Sequence, residues 1–440
     1  MDPGSGRLPL ARRIAYWVPL LARFFWLQAA AQLLAIASGL LIVRGLAVEE
    51  YAVYTMAIAV QTTMAILADG GITQSLLARG GRVASDRVLF SRVVRTALGL
   101  RRRLEIGTIV LGLPLLTMIL RAHGVGWIAC AMAAGAVAVA MHGTVIQTVY
   151  STVMFLQLRP MEAQRAAVVS GGVRLAITIA ALLLVPRSVV FLWIGALVLL
   201  LQGILTERAA IPHMEESDEL SPEDRRMMLV AFKSQVLNGI YFALQPQITV
   251  WILTIFGTVE TVAQVGALGR LAVALSLVSS AFSSLALPRF ARQRDLAQVR
   301  RWYVLLVSGM AGIGVSIVIG ALLFPHAILA VLGSQYRGLD RELVWIVGAT
   351  AVSLVSAASH LLNTARGWVR GIWLGVPATL AAQILLAMYV DLGSVRGAVL
   401  MQASAFAAPL AINLAIGLLN MRRSAWLRAA AAPLQADHAS

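Results

Sequence analysis

Stretches of about twenty mostly apolar residues recur along the whole 440-residue chain, broken by short polar segments. A helix that crosses a bilayer needs about 20 such residues, and it must satisfy its backbone polar groups internally. Twelve stretches meet that condition: 22–44, 51–75, 104–121, 126–153, 163–185, 188–207, 229–256, 261–287, 302–324, 342–364, 371–390 and 397–420. Composition agrees, with 59% hydrophobic and 13% charged residues, against about 45–50% and about 25% in soluble domains. An all-α polytopic membrane protein is expected.

The 36 basic residues, 35 Arg and Lys233, outnumber 20 acidic ones and give a net charge of +16. Their placement decides what the charge means. The N-terminal tail, the even-numbered loops and the C-terminal tail hold 26 of them. The odd-numbered loops hold six: Arg44, Arg121, Arg187, Arg337, Arg341 and Arg396. Basic residues are retained in cytoplasmic loops, so both termini are expected in the cytoplasm of a multi-pass protein of the inner (plasma) membrane. Membrane lipids account for the charge. Nucleic acid is not expected as a partner, because no zinc-finger or RNA-binding motif accompanies the Arg residues.

The N-terminus does not read as a cleavable signal peptide, since its apolar stretch runs into a full span; residues 8–20 read as an interfacial lead-in. One cysteine, Cys130, excludes an intrachain disulfide and a cysteine-cluster metal site.

Two loops stand out. Arg79–Arg103 carries eight Arg and one Asp, with Val88, Leu89, Val93 and Val94 set among Arg87, Arg92 and Arg95. That pattern reads as a basic amphipathic helix on the anionic inner leaflet. Residues 209–226 hold six acidic residues in the longest polar break. This divides the chain into an N-terminal lobe (1–208, spans one to six), an acidic cytoplasmic linker (209–228) and a C-terminal lobe with its tail (229–440).

The halves resemble each other. Setting Glu49 of RGLAVEEYAVYTMAIAV (44–60) on Glu260 of IFGTVETVAQVGALGRL (255–271) aligns Ala52 with Ala263, and LLARGGR (76–82) parallels LPRFAR (287–292). Six spans separate the copies, so both have the same orientation. Two parallel halves are a transporter architecture with the substrate site between them.

Apart from Arg44, Arg121 and Arg165, at span ends and counted with the loops, four bases fall inside spans: Arg23, Arg174, Lys233 and Arg270. A charge at membrane depth costs about 2.5–3.5 kcal/mol on insertion scales and usually faces a cavity. Arg23 and Lys233 lie near the ends of their spans, where they can reach the interface. Arg174 and Arg270 are deeper, and an excess of positive charge suits an anionic substrate, with the Arg fork matched to phosphate oxygens. Asp69 is the clearest intramembrane acid and the candidate for ion coupling. Ser234, Asn238, Tyr241 and Gln245 share one helix face in the seventh span, ahead of Pro246; Gln28 and Gln32 are four apart in the first. Such stripes bind sugar hydroxyls or serve as interhelical glue.

No Ser/His/Asp order, GxSxG, Walker-type GxxxxGK[ST] or HExxH is present, and the six histidines form no cluster. No cofactor, metal or enzymatic activity is expected.

GLLIVRGLAVEEYAVYTMAIAV (39–60), ILADGGITQSLLAR (66–79), SSLALPRFAR (283–292) and LLFPHAILAVLGSQYRGL (322–339) resemble turns of the bacterial O-antigen-flippase-like, polysaccharide-biosynthesis family. That family belongs to the multidrug/oligosaccharidyl-lipid/polysaccharide (MOP) exporter superfamily. The family's usual Gly after its "eeY" turn is Ala52 here. The resemblance implies two six-helix lobes forming a V-shaped cavity. It also implies a flippase or exporter that moves a polyprenyl-diphosphate-linked oligosaccharide, or a related polysaccharide precursor, across the membrane by alternating access. Polysaccharide polymerase and export machinery would be further partners. Arg174, Arg270, Lys233, Arg23, Asn238, Tyr241, Gln245, Gln28 and Gln32 would line the cavity. The alternatives are a MATE-like drug or cation antiporter and a membrane glycosyltransferase or polymerase of polysaccharide assembly.

Overall fold

The computed structural model describes residues 10–83, 86–215, 225–226, 229, 241, 245, 247–274, 278–279, 282, 286–287, 290, 293, 295–366, 368 and 371–436. Among these the chain is helical throughout and contains no strand. The helices are α1 (Leu10–Gly45), α2 (Val48–Asp69), α3 (Ile72–Val83), α4 (Arg87–Ala122), α5 (Trp127–Leu156), α6 (Pro160–Leu184), α7 (Ser188–Ala210), α8 (Gln247–Phe256), α9 (Val259–Ala274), α10 (Leu296–Leu323), α11 (Pro325–Leu332), α12 (Asp340–Ala365), α13 (Gly375–Ala387) and α14 (Val395–Ala436).

Nine of the described helices are long and apolar enough to cross a membrane. Their outward residues are what a soluble protein hides: Leu111 is 77% exposed, Ile128 79% and Leu183 81%. A surface this apolar needs lipid as its solvent. The chain is a multi-pass, all-α membrane protein.

Three stretches differ from the sequence reading. The lead-in at 8–20 is not separate, because the backbone of α1 is helical from Leu10 without a break. The basic segment 79–103 does not lie apart on the leaflet. Asp86 caps α4 by accepting from the Leu89 N–H at 3.0 Å, and the helix then runs 36 residues into the third span. The reason is packing: Val93 and Val94, read as lipid-facing, are buried in protein, while Val88 and Leu89 stay exposed. The eleventh stretch, 371–390, forms a 13-residue helix, α13, after a 3-10 turn. Gly371, at φ +91°, breaks it on one side. On the other, the Asp391 side chain caps the Gly393 N–H at 2.9 Å. Of the seventh and eighth stretches, α8 and α9 are the helical parts described.

The contacts group the chain into two compact units. Unit 1 comprises Met1–Leu46 and Val60–Ile240. In it α5 packs on α7, α1 on α6, and α3 and α4 on α5. The α5–α7 contact is close at Gly143, where an added Cβ would stand 2.5 Å from the Leu200 backbone nitrogen. Helices in lipid associate through such small residues. The core of this unit gathers Leu76, Phe90, Val93, Val94, Val149, Val153 and Met154.

Unit 2 comprises Ala47–Ala59 and Tyr241–Ser440. Here α12 packs on α10 and α14, and α13 packs on α14. Phe290, Val299, Tyr303, Leu354 and Leu362 form its core. The helix α2 is divided between the units, its first residues counting with unit 2 and the remainder with unit 1.

Candidate functional site

Arg270 sits on α9 and lines a cavity of about 200 Å³ inside unit 2. Its Nε–H donates to the Tyr51 hydroxyl at 3.4 Å, and its guanidinium carbon lies 5.7 Å from the centre of the Tyr54 ring. The two tyrosines stand on the first turns of α2, with ring centroids 6.1 Å apart and planes 26° apart. Both are fully buried. The cation is therefore held by a phenol oxygen and a π face, each a weaker counterpart than a carboxylate. Among the described residues, no carboxylate lies within ion-pairing distance of it.

The rest of the wall is neutral, with polar side chains set among Ile58, Val250, Val265 and Ile346. Thr55 follows Tyr51 by one turn of α2, α8 adds Gln247 and Thr249, α12 adds Thr350, and α14 adds Gln402. Thr55 and Thr350 donate to the carbonyls of Tyr51 (2.9 Å) and Ile346 (2.8 Å) on their own helices. Gly266 admits α2 at this point, since a Cβ there would stand 2.5 Å from Thr55 Oγ1. A half-buried guanidinium, two amides and several hydroxyls in a small cavity can bind an anionic group and hydrogen-bond its neighbours. Tyr336, in the 3-10 turn Ser334–Tyr336 outside the spans, is close enough to Tyr51 to feel its phenol. Burial, then Tyr51, push the Tyr336 phenol well above the ordinary tyrosine value, so it stays neutral at physiological pH.

The other expected residues are placed as follows. Arg174 is half-buried on α6 of unit 1; Gln28 and Gln32 are half-buried on α1; Arg23, on the same helix, is exposed. Lys233 and Asn238 lie outside the described residues. Gln245 is buried and accepts a hydrogen bond from Gln383 Nε2 of α13 at 3.2 Å, so it joins helices rather than lining the cavity. Tyr241, one turn earlier, stands by Thr379 and Gln245.

Asp69 is at the last residue of α2. Its Oδ1 accepts from Thr73 Oγ1 and pairs with Arg101 Nη1 at 3.4 Å, and its Oδ2 accepts from the Gly71 N–H at 3.3 Å. Arg101 was expected in a loop, yet it is 2% exposed on α4. Glu105, one turn further, is buried and meets His142 Nδ1 of α5 at 3.3 Å. Sequence reasoning passed over Arg101, Glu105 and His142. The legible signal was the four-residue spacing of Arg101 and Glu105, which puts both on one helix face.

No family model matches the chain, and no curated protein matches it in sequence. Solved structures do match. An inward-facing multidrug resistance MATE family transporter of the MOP superfamily is 15% identical, with a TM-score of 0.68 over 90% of this chain and 95% of that one. The lipid II flippase MurJ, in an inward closed conformation, is 10% identical, with a TM-score of 0.64 over 90% and 87%. A MOP superfamily transporter from Pyrococcus furiosus, reported for the reverse polarity of its binding pocket, is 16% identical, with a TM-score of 0.58 over 92% and 94%. These likenesses span nearly the whole of each chain, and the fold of this chain is that of the MOP-superfamily transporters.

Proposed function

We propose that this chain is a non-enzymatic flippase that moves a polyprenyl-diphosphate-linked oligosaccharide, or a related polysaccharide precursor, across the bacterial inner membrane by alternating access. One observation carries the reading: Arg270 lines a half-open cavity with, among the described residues, no carboxylate beside it. A sequestered cation without an acid repels cationic drugs and attracts phosphate, whose oxygens match the planar donor fork. The cavity, at about 200 Å³, is also smaller than the ~300–1,000 Å³ typical of sites for drug-sized ligands; it suits one headgroup. Gln247, Gln402 and Thr350 are placed to meet hydroxyls next to that group. The fold includes a neighbour that flips lipid II and another whose binding pocket has reversed polarity.

In this reading both termini are cytoplasmic, residues 209–228 link an N-terminal lobe (1–208) to a C-terminal lobe (229–440), and Arg174 supplies a second phosphate contact. The polymerase and export machinery of the same polysaccharide take the product.

The test uses farnesyl diphosphate as a short lipid-diphosphate probe, with purified full-length protein in nanodiscs. Binding is expected for the wild type and a loss of tenfold or more for Arg270→Gln; equal affinity in the two sinks the reading. A second reading, a MATE-like antiporter of cationic drugs, draws on the acids Asp69 and Glu105 in unit 1 and on the multidrug transporters that share the fold. Efflux of a cationic dye that depends on Asp69, with no diphosphate binding, would favour it.

A further inference from the structure

Asp69, Arg101, Glu105 and His142 form a chain of charge inside unit 1. Asp69 is saturated by Thr73, Gly71 and Arg101. Arg101 spends Nη1 on Asp69 and Thr73, at 3.4 Å each. Glu105 is different, since its carboxylate has one hydrogen-bond partner among the described residues, the His142 imidazole. Its side chain is 6% exposed, while that of His142 is 47% exposed. By formal charge, two carboxylates face one guanidinium, an excess of one negative charge, with the imidazole beside it. A buried site in apolar surroundings penalises that excess, and an imidazole is the side chain best able to cancel it with a proton.

The location favours exchange with solvent. Glu105 is followed by 17 residues of α4 and His142 preceded by 15 of α5. At 1.5 Å per residue both lie roughly 22–26 Å from the hairpin that joins these helices, towards the far side of a ~30 Å hydrocarbon core. Arg102 and Arg103, exposed, precede Glu105 on α4.

Several other charges on the elements packed here have partners of their own. Glu207 of α7 gathers with Arg95 and Arg102 around Tyr150, which lies two turns along α5 from His142. Arg159 pairs with Glu162 at the start of α6, at 3.1 Å. Arg79 of α3 makes contacts of its own. Asp69 from α2 and Arg101 from α4 are the charges joined to the Glu105–His142 pair.

We propose that Glu105 and His142 form a proton-binding site that takes up one proton to neutralise the negative charge Asp69 and Glu105 hold in excess over Arg101. The proton rests on the His142 ring, whose Nδ1–H then donates to Glu105 Oε1. A sodium ion is a poorer occupant, because the ring offers nitrogen where sodium prefers oxygen. Asp69, fixed by its three partners, positions Arg101 and does not itself exchange the proton. The use of this proton to drive transport rests on the flippase reading; the proton site does not.

The experiment is a pH titration of ¹⁵N-histidine resonances in the full chain in nanodiscs, with the His142 signal among six identified by its loss in His142→Gln. In the wild type the His142 resonance is expected to report uptake of one proton on the ring. Glu105→Gln removes the carboxylate that favours the charged ring, so the midpoint is expected to fall by about one pH unit or more. Glu105→Asp keeps the charge and should restore at least half of that shift; it also stands in if the Gln variant does not fold. An unchanged midpoint in both variants overturns the proposal. So does a wild-type midpoint that drops when potassium is replaced by sodium, which would make the site a metal-cation site. Farnesyl diphosphate is absent throughout, so a failed titration and a failed flippase assay are separate results.

Discussion

Thr55 and Gly266 occupy the same place in two repeated segments, and they touch. The alignment that sets Glu49 on Glu260 and Ala52 on Ala263 also sets Thr55 on Gly266, and a Cβ on Gly266 would come within 2.5 Å of Thr55 Oγ1. Both segments open with acids in the first turn of a helix, and Ala52 and Ala263 are both 0% exposed. The pair also forms one wall of the Arg270 cavity, so the repeat and the site share a contact.

Gly266→Ala is therefore expected to destabilise the protein by about 1–3 kcal/mol through overpacking. Thr55→Ala should relieve the clash, and thermal unfolding of the two single variants and the double variant reads it. Additive losses in the double variant would mean the two residues do not press on each other.

Arg270→Lys keeps the charge and loses the fork. Affinity for farnesyl diphosphate is expected to fall nearly as far as in Arg270→Gln. Tyr51→Phe removes the phenol that orients the guanidinium, and a weakening of about 5- to 30-fold is expected from one lost bond of about 1–2 kcal/mol. If Lys binds as well as Arg, the site reads charge alone.

At the α5–α7 contact the neighbour of Gly143 is backbone, which cannot swing away. Gly143→Ala is expected to force the helices apart and cost several kcal/mol. Gly172→Ala, with nothing within 4 Å of the added carbon, should be neutral or slightly stabilising. Comparing the melting temperatures of the two variants decides it.

Arg101→Met leaves Asp69 and Glu105 without their cation. Removing one member of a buried charge network costs about 3–5 kcal/mol, and Asp69→Asn in the same chain should recover part of it. Denaturant unfolding measures both steps. A loss below ~1 kcal/mol would place Arg101 among ordinary surface ion pairs.

Much of the fold was legible because the bilayer imposes a length and a polarity on every spanning helix. Arg270 was legible for the same reason, since a charge deep in an apolar stretch must have a purpose. Its setting was not, because Tyr51 lies 219 residues away in sequence and the contact is made only by folding. The boundary between surface helix and span was missed at Val93 and Val94, which look amphipathic in one dimension and become core once α5 covers them. Glu105 and His142 escaped because they stand on different helices, 37 residues apart, and meet only in the folded chain. Gln245, read as equally suited to sugar or to packing, is engaged by Gln383.

The 36-residue length of α4 has a mechanical consequence. At 1.5 Å per residue it is a beam of about 54 Å, against ~30 Å of hydrocarbon. Some twenty ångströms of it, bearing the arginines, are stiffened by α3 and α5 rather than floated on headgroups. A push on that end travels along one continuous helix as far as Pro114, which lacks a backbone N–H and gives the helix a place to bend inside the span.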